Sequence, residues 1–364
     1  MIGFEGLRVA LIGPVPPPAG GMAMQTQQLK ELLEAAHARV TLVPTNAPYR
    51  PAFVGRWPGV RAVFRLVPYA AALWRAAGHC QLFHVMANSG WSWHLFAGPA
   101  IWVARLRRVP VVVNYRGGEA DRFLASGARW VRASVRQVAR LVVPSAFLQQ
   151  VFARHGMAAQ VVPNIVDTQR FHPPQAAGPR PAWPQLLVAR NLEPIYDHAT
   201  ALRAFAVVLR RYPDAALILA GTGPLEDELK RQAVELGVQH RVRFAGRLSR
   251  EGMAEVLRAS TIALNPSTVD NMPNSVLEAL ASGVPVVSTR VGGVPYIVED
   301  GTTALLVPAS DPDAMAHAVL ALLDDPARAH RLSAAGLQAV RAYTWERIGP
   351  QWIEVYRSAL RPAE

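Results

Sequence analysis

Cysteine occurs once in 364 residues, at Cys80, so the chain forms no internal disulfide and no thiolate metal cluster; a buried, inert thiol in a reducing cytosol is expected. Lysine is nearly absent, and 26 acidic residues fall short of 38 basic ones, leaving a formal charge of +12 carried almost wholly by arginine. That balance calls for an anionic partner: nucleic acid, anionic lipid or a phosphorylated substrate. Zinc-ligand spacings, an aromatic RNA-binding signature and a basic tail are all missing, which argues against nucleic acid. No apolar stretch approaches the roughly 20 residues of a spanning helix. The longest, Trp91 to Leu106, is interrupted by His94 and Arg105. The N-terminus lacks a signal-peptide pattern, and its first apolar run, Leu7 to Ile12, has the length of a strand. A cytoplasmic chain without a transmembrane helix is the expectation.

What is present is rhythm. Half the residues are apolar, and the length suffices for two domains with their own cores. Strand-like runs at Leu7 to Ile12, Val40 to Val43, Leu82 to Val85, Val111 to Asn114 and Leu141 to Val143 alternate with helical segments, which implies a parallel, doubly wound sheet. The rhythm restarts at Gln185 to Ala189 and continues through Ala216 to Ala220, Val242 to Phe244, Thr261 to Leu264 and Val284 to Ser288. Between the halves, His172 to Pro184 is rich in Pro, Ala and Gly and has no periodicity, so it reads as a linker. The division expected is 1–175, 176–344 and a final amphipathic helix in 345–364.

Chemistry concentrates between Ser267 and Gly293. Val276, Leu277, Leu280 and Ala281 form a core stripe at helical spacing, with Pro273 early in the helix and Gly283 as its stop. Backbone N–H groups of Met272 to Ser275 then sit at a helix N-terminus, where a phosphate needs no metal. Asn274 and Glu278 share a helical face, and seven residues separate Asp270 in the loop from Glu278, so both carboxylates can border one cavity. Each carboxylate accepts two hydroxyl hydrogen bonds. One acid on a ribose and one on a hexose, with helix N–H groups on the phosphates, describes a nucleotide sugar. The alternative is a helix-dipole acid and an ordinary loop acid.

This stretch resembles family 4 of the retaining glycosyltransferases, whose signature is an acid, seven residues, then Glu, followed by small-Gly-x-Pro-Val-Val and a Gly-Gly turn. Asp270 stands where the family usually has Glu. The resemblance runs over nearly the whole chain and implies a GT-B fold, two facing Rossmann-like α/β domains with a cleft between them. It further implies a hexosyltransferase in which Glu278 holds the donor ribose and Asp270 the donor sugar. Arg190, Gly20, Gly21 and the segment Asn271, Met272, Pro273 and Asn274 would hold the diphosphate, and backbone groups at Arg247 and Leu248 the base. Gly221-Thr222-Gly223 would border the nucleotide. Tyr196 stands where a family Lys is expected, and Arg116 where many relatives have a His that reaches the reacting sugar. Arg116 would hold an anionic acceptor or a donor phosphate. No metal or other cofactor is implied.

Arg and Trp recur among apolar residues at Arg56, Trp57, Arg61, Arg65, Trp74 and Arg75 and again at Arg122, Arg129, Trp130, Arg132, Arg136 and Arg140. Such faces suit anionic lipid, although a helix with one buried and one Arg-solvated face has the same pattern. A lipid-linked glycan acceptor for surface polysaccharide or exopolysaccharide, met at the inner face of the cell membrane, follows as an expectation. Two other readings remain at this stage: a nucleotide-sugar epimerase of the same architecture and a non-catalytic nucleotide-sugar-binding subunit.

Overall fold

The computed structural model describes residues 3–17, 20–49, 60–174 and 183–361, apart from the side chains of 60–63. Arg56 and Trp57 therefore lie outside the described residues, as does most of the Pro, Ala and Gly segment before Pro184. The chain divides into two units, one of the residues through Asn164 with those from Ile348 onward, the other from Ile165 to Arg347.

In the first unit, β1 (Arg8–Gly13) leads to α1 (Gly21–Ala35), β2 (Arg39–Pro44), α2 (Val60–Ala77), β3 (Leu82–Ala87) and α3 (Gly98–Leu106). Then follow β4 (Val111–Tyr115), α4 (Ala120–Val135), β5 (Arg140–Val143), α5 (Ala146–Arg154) and β6 (Gln160–Val161). The strands form one parallel sheet in the order β2-β1-β3-β4-β5-β6. Continuous apolar strands fit a sheet covered on both faces. Alternation along β3 and β4 sends Phe83, Val85, Val111, Val113 and Tyr115 into a core with α2 to α5, and His84 and Asn114 to the opposite face.

The second unit runs β7 (Gln185–Val188), α6 (His198–Arg211), β8 (Ala216–Ala220), α7 (Glu226–Glu235), β9 (Val242–Gly246) and α8 (Arg250–Ala259). It continues through β10 (Ile262–Asn265), α9 (Asn274–Ala281), β11 (Val286–Thr289), β12 (Leu305–Val307), α10 (Pro312–Asp324) and α11 (Pro326–Ala339). Its six parallel strands are ordered β12-β11-β10-β7-β8-β9. Order reverses beside β7, and ligands in open α/β sheets collect beyond the carboxyl ends of strands at such a reversal.

The chain closes with α12 (Trp345–Leu360), whose apolar face, with Trp352, Val355, Tyr356 and Ala359, is buried. From Ile348 it belongs to the first unit, where Tyr356 packs edge-on against His84. Cys80 is buried, and desolvation pushes its thiol pKa up. No helix among the described residues is long and apolar enough to cross a membrane.

Candidate functional site

Five strands of the second sheet deliver the site residues at their carboxyl ends: Arg190 after β7, Gly221 to Gly223 after β8, Arg247 and Leu248 after β9, Asp270 after β10, and the Gly292-Gly293 turn after β11. Buried polar bonds fix the loop that carries Asp270. Asn265 Nδ2 donates to Ser288 Oγ at 3.0 Å, Ser267 Oγ to Asn265 Oδ1 at 2.8 Å, and Thr289 Oγ1 to the Ser267 carbonyl at 2.5 Å. The Thr268 N–H donates to the Ile195 carbonyl at 2.8 Å and the Gly293 N–H to that of Asp270 at 2.9 Å.

Asp270 and Arg190, expected to serve the sugar and the diphosphate, form an ion pair, Nη2 to Oδ2 at 2.5 Å, with side chains only 8% and 14% exposed. Burial raises the Asp270 pKa, while Arg190, Ser267, Asn265 and the Asn271 N–H pull it down. Tyr196 stands at the place of the expected Lys and supplies no charge: the Arg190 guanidinium lies over its ring, 4.0 Å from the centroid. His198, kept neutral by burial with its pKa lowered to about 4, bonds through Nε2 to the Arg190 carbonyl at 3.3 Å. Main chain and head group of Arg190 are thus both held, and its buried Nε has no partner among the described residues.

Glu278 lies half-buried on α9, one turn from Asn274. Its pKa is raised to about 7 by desolvation, against the pull first of Arg250 and then of Arg190. Arg190 therefore acts on both acids, on Asp270 through a direct ion pair and on Glu278 through its charge. Arg250, the first residue of α8, also pairs with Asp167 at 3.4 Å. Pro273 is the N-cap of α9 in extended conformation, just outside the helix rather than early in it as expected, and makes no side-chain cap bond. Gly283 ends the helix at φ +68°, a conformation that favours glycine. Asn271, Met272 and Pro273 are buried between Asp270 and the helix start.

The glycines after β8 have a structural cause. A Cβ on Gly221 would stand 2.1 Å from the Arg190 carbonyl oxygen, and one on Gly223 would stand 2.3 Å from that of Leu192. They let this turn pack against the strand end that aims Arg190, which accounts for them without a nucleotide. Arg247 is exposed, with Nη2 3.5 Å from Thr222 Oγ1, and Leu248 is half-buried.

The remaining candidates belong to the first unit. Gly20 is the N-cap of α1 at φ −99°, and a Cβ on Gly20 or Gly21 would meet nothing within 4 Å, so packing inside the unit does not require this glycine pair. Arg116 follows β4. Its Nε donates to Asn114 Oδ1 at 2.8 Å and its Nη1 to Asn164 Oδ1. Desolvation lowers its pKa to about 9.

Two family models cover most of the chain, Glycosyltransferase Family 4 over residues 19–170 and Glycosyl transferases group 1 over residues 184–325. A phosphatidyl-myo-inositol mannosyltransferase of Mycobacterium leprae is 30% identical over 71% of this chain and 70% of its own length. The chain belongs to the family 4, group 1 glycosyltransferases. It is an enzyme of the hexosyltransferase class. Solved structures show the glycosyltransferase to have the GT-B fold: a sucrose-phosphate synthase of Thermosynechococcus elongatus superposes with a TM-score of 0.77 at 22% identity, covering 96% of this chain and 98% of that one. Anabaena HepE, solved with UDP, gives 0.73 at 18%, covering 97% and 100%.

Within the glycosyltransferase, Asp270, Glu278 and Arg190 come together, with the run from Asn271 to Asn274 beside them and Arg247 against the β8 turn. Gly20, Gly21 and Arg116 are carried by the other unit. Sequence reasoning missed Arg250 and the ring beneath Arg190. The signal for Arg250 was its place just beyond β9, one residue after the Ser249 N-cap.

Proposed function

We propose that this glycosyltransferase moves a hexosyl group from a nucleoside diphosphate sugar to a hydroxyl of a lipid-linked glycan, with retained anomeric configuration, in synthesis of a surface polysaccharide or exopolysaccharide. The observation that carries the reading is the Asp270–Arg190 pair with Glu278 under the same cation at the carboxyl edge of the second sheet. Asp270 would hold hydroxyls of the donor sugar and Glu278 those of the ribose. Arg190 and Arg250, with the start of α9, would face the diphosphate. Two guanidinium groups and a helix N-terminus can balance that charge without a metal ion. In the reaction the acceptor oxygen bonds to the anomeric carbon on the face from which the diphosphate leaves. The bond from that carbon to the phosphate oxygen breaks, and the acceptor proton passes to the departing phosphate. Fixed donors at Arg190 stabilise the leaving charge.

The lipid acceptor and a position at the inner membrane face draw on the first unit. Helices α2, α3 and α4 hold one acid, Asp121, against seven arginines, and Trp74, Trp102 and Trp130 on them are exposed. Arg107 covers Trp74 at 4.7 Å and Arg129 covers Trp130 at 5.1 Å. Cations over exposed rings suit the interface of an anionic bilayer. The name of the Mycobacterium leprae relative, with phosphatidyl-myo-inositol in it, points the same way.

The test is thermal stabilisation of the purified full chain by UDP-, GDP- and ADP-sugars, followed by transfer with the stabilising donor in EDTA and NMR of the product anomer. One donor should stabilise the wild type and not Glu278→Ala, and EDTA should leave the rate unchanged. Stabilisation by none of them, or equal stabilisation of Glu278→Ala, refutes the assignment.

A further inference from the structure

We infer that Arg116 is an anion subsite for the acceptor, a guanidinium held open to receive a phosphate monoester or diester of that molecule. The inference rests on the transfer reading above and narrows its acceptor to a phosphorylated one.

The argument begins with donors and acceptors. Arginine has only N–H donors, so Asn114 must turn Oδ1 toward Arg116 Nε, at 2.8 Å, and Nδ2 toward His84 Nε2, at 3.1 Å. His84 Nε2 then accepts, which puts the ring hydrogen on Nδ1, where it meets the Tyr356 hydroxyl at 2.7 Å. The ring is fully buried and neutral, its pKa lowered to about 3 by desolvation and by Arg116. A line of groups from α12 through β3 and β4 thus ends on Arg116, and Asn164 Oδ1 holds a second nitrogen from the other side. Every partner in this cradle is uncharged.

That is an unusual way to keep a desolvated guanidinium. Amide oxygens satisfy its hydrogen bonds without balancing its charge, and an unbalanced charge drawn out of water is costly until an anion arrives. Burial is the sole cause of its lowered pKa, with no carboxylate contributing. The partners restrain Nε and Nη1, and a planar fork fixed in this way is suited to phosphate oxygens. Arg116 lies beyond the carboxyl end of β4, where ligands of such sheets bind. Its loop touches the one after β3: a Cβ on Gly117 would stand 2.3 Å from Ser89 Oγ. The helical segment that follows this β3 loop begins with Trp91, 78% exposed and edge-on to His94, which in turn meets Phe123 on α4. Cation and exposed aromatic surface side by side match an acceptor that is phosphorylated at one end and apolar at the other.

The experiment uses the full chain as wild type, Arg116→Gln and Arg116→Lys, each checked for an unchanged melting temperature. Inorganic phosphate and glycerol 3-phosphate are titrated by calorimetry, and vesicles of phosphatidylglycerol or phosphatidylcholine by sedimentation. Phosphate ester binding should weaken 10-fold or more in Arg116→Gln and fall less in Arg116→Lys. A matching loss on vesicles of phosphatidylglycerol but not of phosphatidylcholine, beside the loss on the esters, identifies the lipid headgroup as source; a loss confined to the soluble esters identifies a free phosphate. Arg116→Gln binding the esters as wild type does, or losing stabilisation by UDP-glucose or GDP-mannose to the same degree, overturns the inference. If no sugar nucleotide stabilises any variant while ester binding still follows Arg116, the transfer reading fails and the anion site stands.

Discussion

The two units each hold a desolvated arginine beyond the carboxyl edge of a parallel sheet, and they treat its charge in opposite ways. Arg190 has a carboxylate at 2.5 Å and an aromatic ring beneath it, so its charge is balanced before any ligand arrives. Arg116 has two amide oxygens and a line of neutral groups behind one of them. A balanced arginine can serve a step in which charge develops and departs, because its orientation does not depend on the ligand. An unbalanced one gains most from a ligand that brings its own negative charge. The difference in charge lies in the neighbours that bond each arginine, a carboxylate oxygen in Asp270 where Asn114 and Asn164 have an amide nitrogen.

Exchanging that atom is the severest test. Asp270→Asn removes the countercharge of Arg190 and half the grip on sugar hydroxyls, and kcat/KM for the donor should fall roughly 10²- to 10³-fold. Asn114→Asp does the reverse to Arg116: it supplies an internal anion and turns an oxygen toward His84 Nε2, so the ring hydrogen must move to that nitrogen and the Tyr356 hydroxyl must turn to donate to Nδ1. Acceptor kcat/KM should fall roughly 10- to 100-fold, as expected when a charge-assisted bond is already occupied, while donor affinity stays within about two-fold. Steady-state kinetics with each substrate varied checks both, and an equal loss on both substrates in Asn114→Asp would erase the contrast between the units.

Much of this was legible before the structure. The continuous apolar runs gave the ten longer strands to within two residues, because a strand buried on both faces leaves few choices. Edge strands β6, of two residues, and β12, of three, escaped because they are too short to show a period. In the second unit Asp270, Glu278 and Arg190 were readable from spacing and resemblance, since all lie near strand ends within one motif or just after β7. Arg250 was missed although it stands just beyond β9, because it is one arginine among many and its effect on Glu278 depends on how α8 packs. The cradle of Arg116 was hidden for a similar reason: His84 and Tyr356 are 272 positions apart, and nothing local in either sequence announces the pairing. The Gly221 and Gly223 turn shows the converse, a pattern that looked like ligand chemistry and is explained by backbone packing.

Glu278 separates the units on a second axis, pH. Its value in the folded chain, about 7, lies above the roughly 4.3 of an unfolded Glu, so between those values the folded state holds a proton the unfolded state has lost. Its contribution to stability is complete below about pH 4 and is lost as pH rises through about 7, by on the order of 3–4 kcal/mol. Ribose binding runs the other way, because only the ionised carboxylate accepts both hydroxyls. Donor kcat/KM should therefore show an acid limb near pH 7 as the melting temperature declines over the same interval. Glu278→Gln should flatten both profiles, melting higher than wild type at pH 8 and binding donor more weakly. An acid limb below pH 5 would show that Glu278 is ionised for another reason or does not touch the donor. Acceptor binding at Arg116 has no carboxylate in its cradle to impose such a limb.

The mildest perturbation is Tyr356→Phe, which deletes one hydroxyl at the far end of the line that supports Arg116. His84 Nδ1–H would be left buried without its acceptor, at a cost of about 1–3 kcal/mol in stability. If Tyr356 merely packs, that is the whole effect, since the ring and its edge contact with His84 remain. If the hydroxyl fixes the tautomer of His84, and through Asn114 the plane of the guanidinium, acceptor KM should rise a further two- to five-fold, on the order of 0.5–1 kcal/mol. Donor KM would hold steady in either case. The split between the two constants, measured well below the melting temperature of the variant, separates support from packing, and unchanged acceptor KM in a destabilised Tyr356→Phe would end the line at His84.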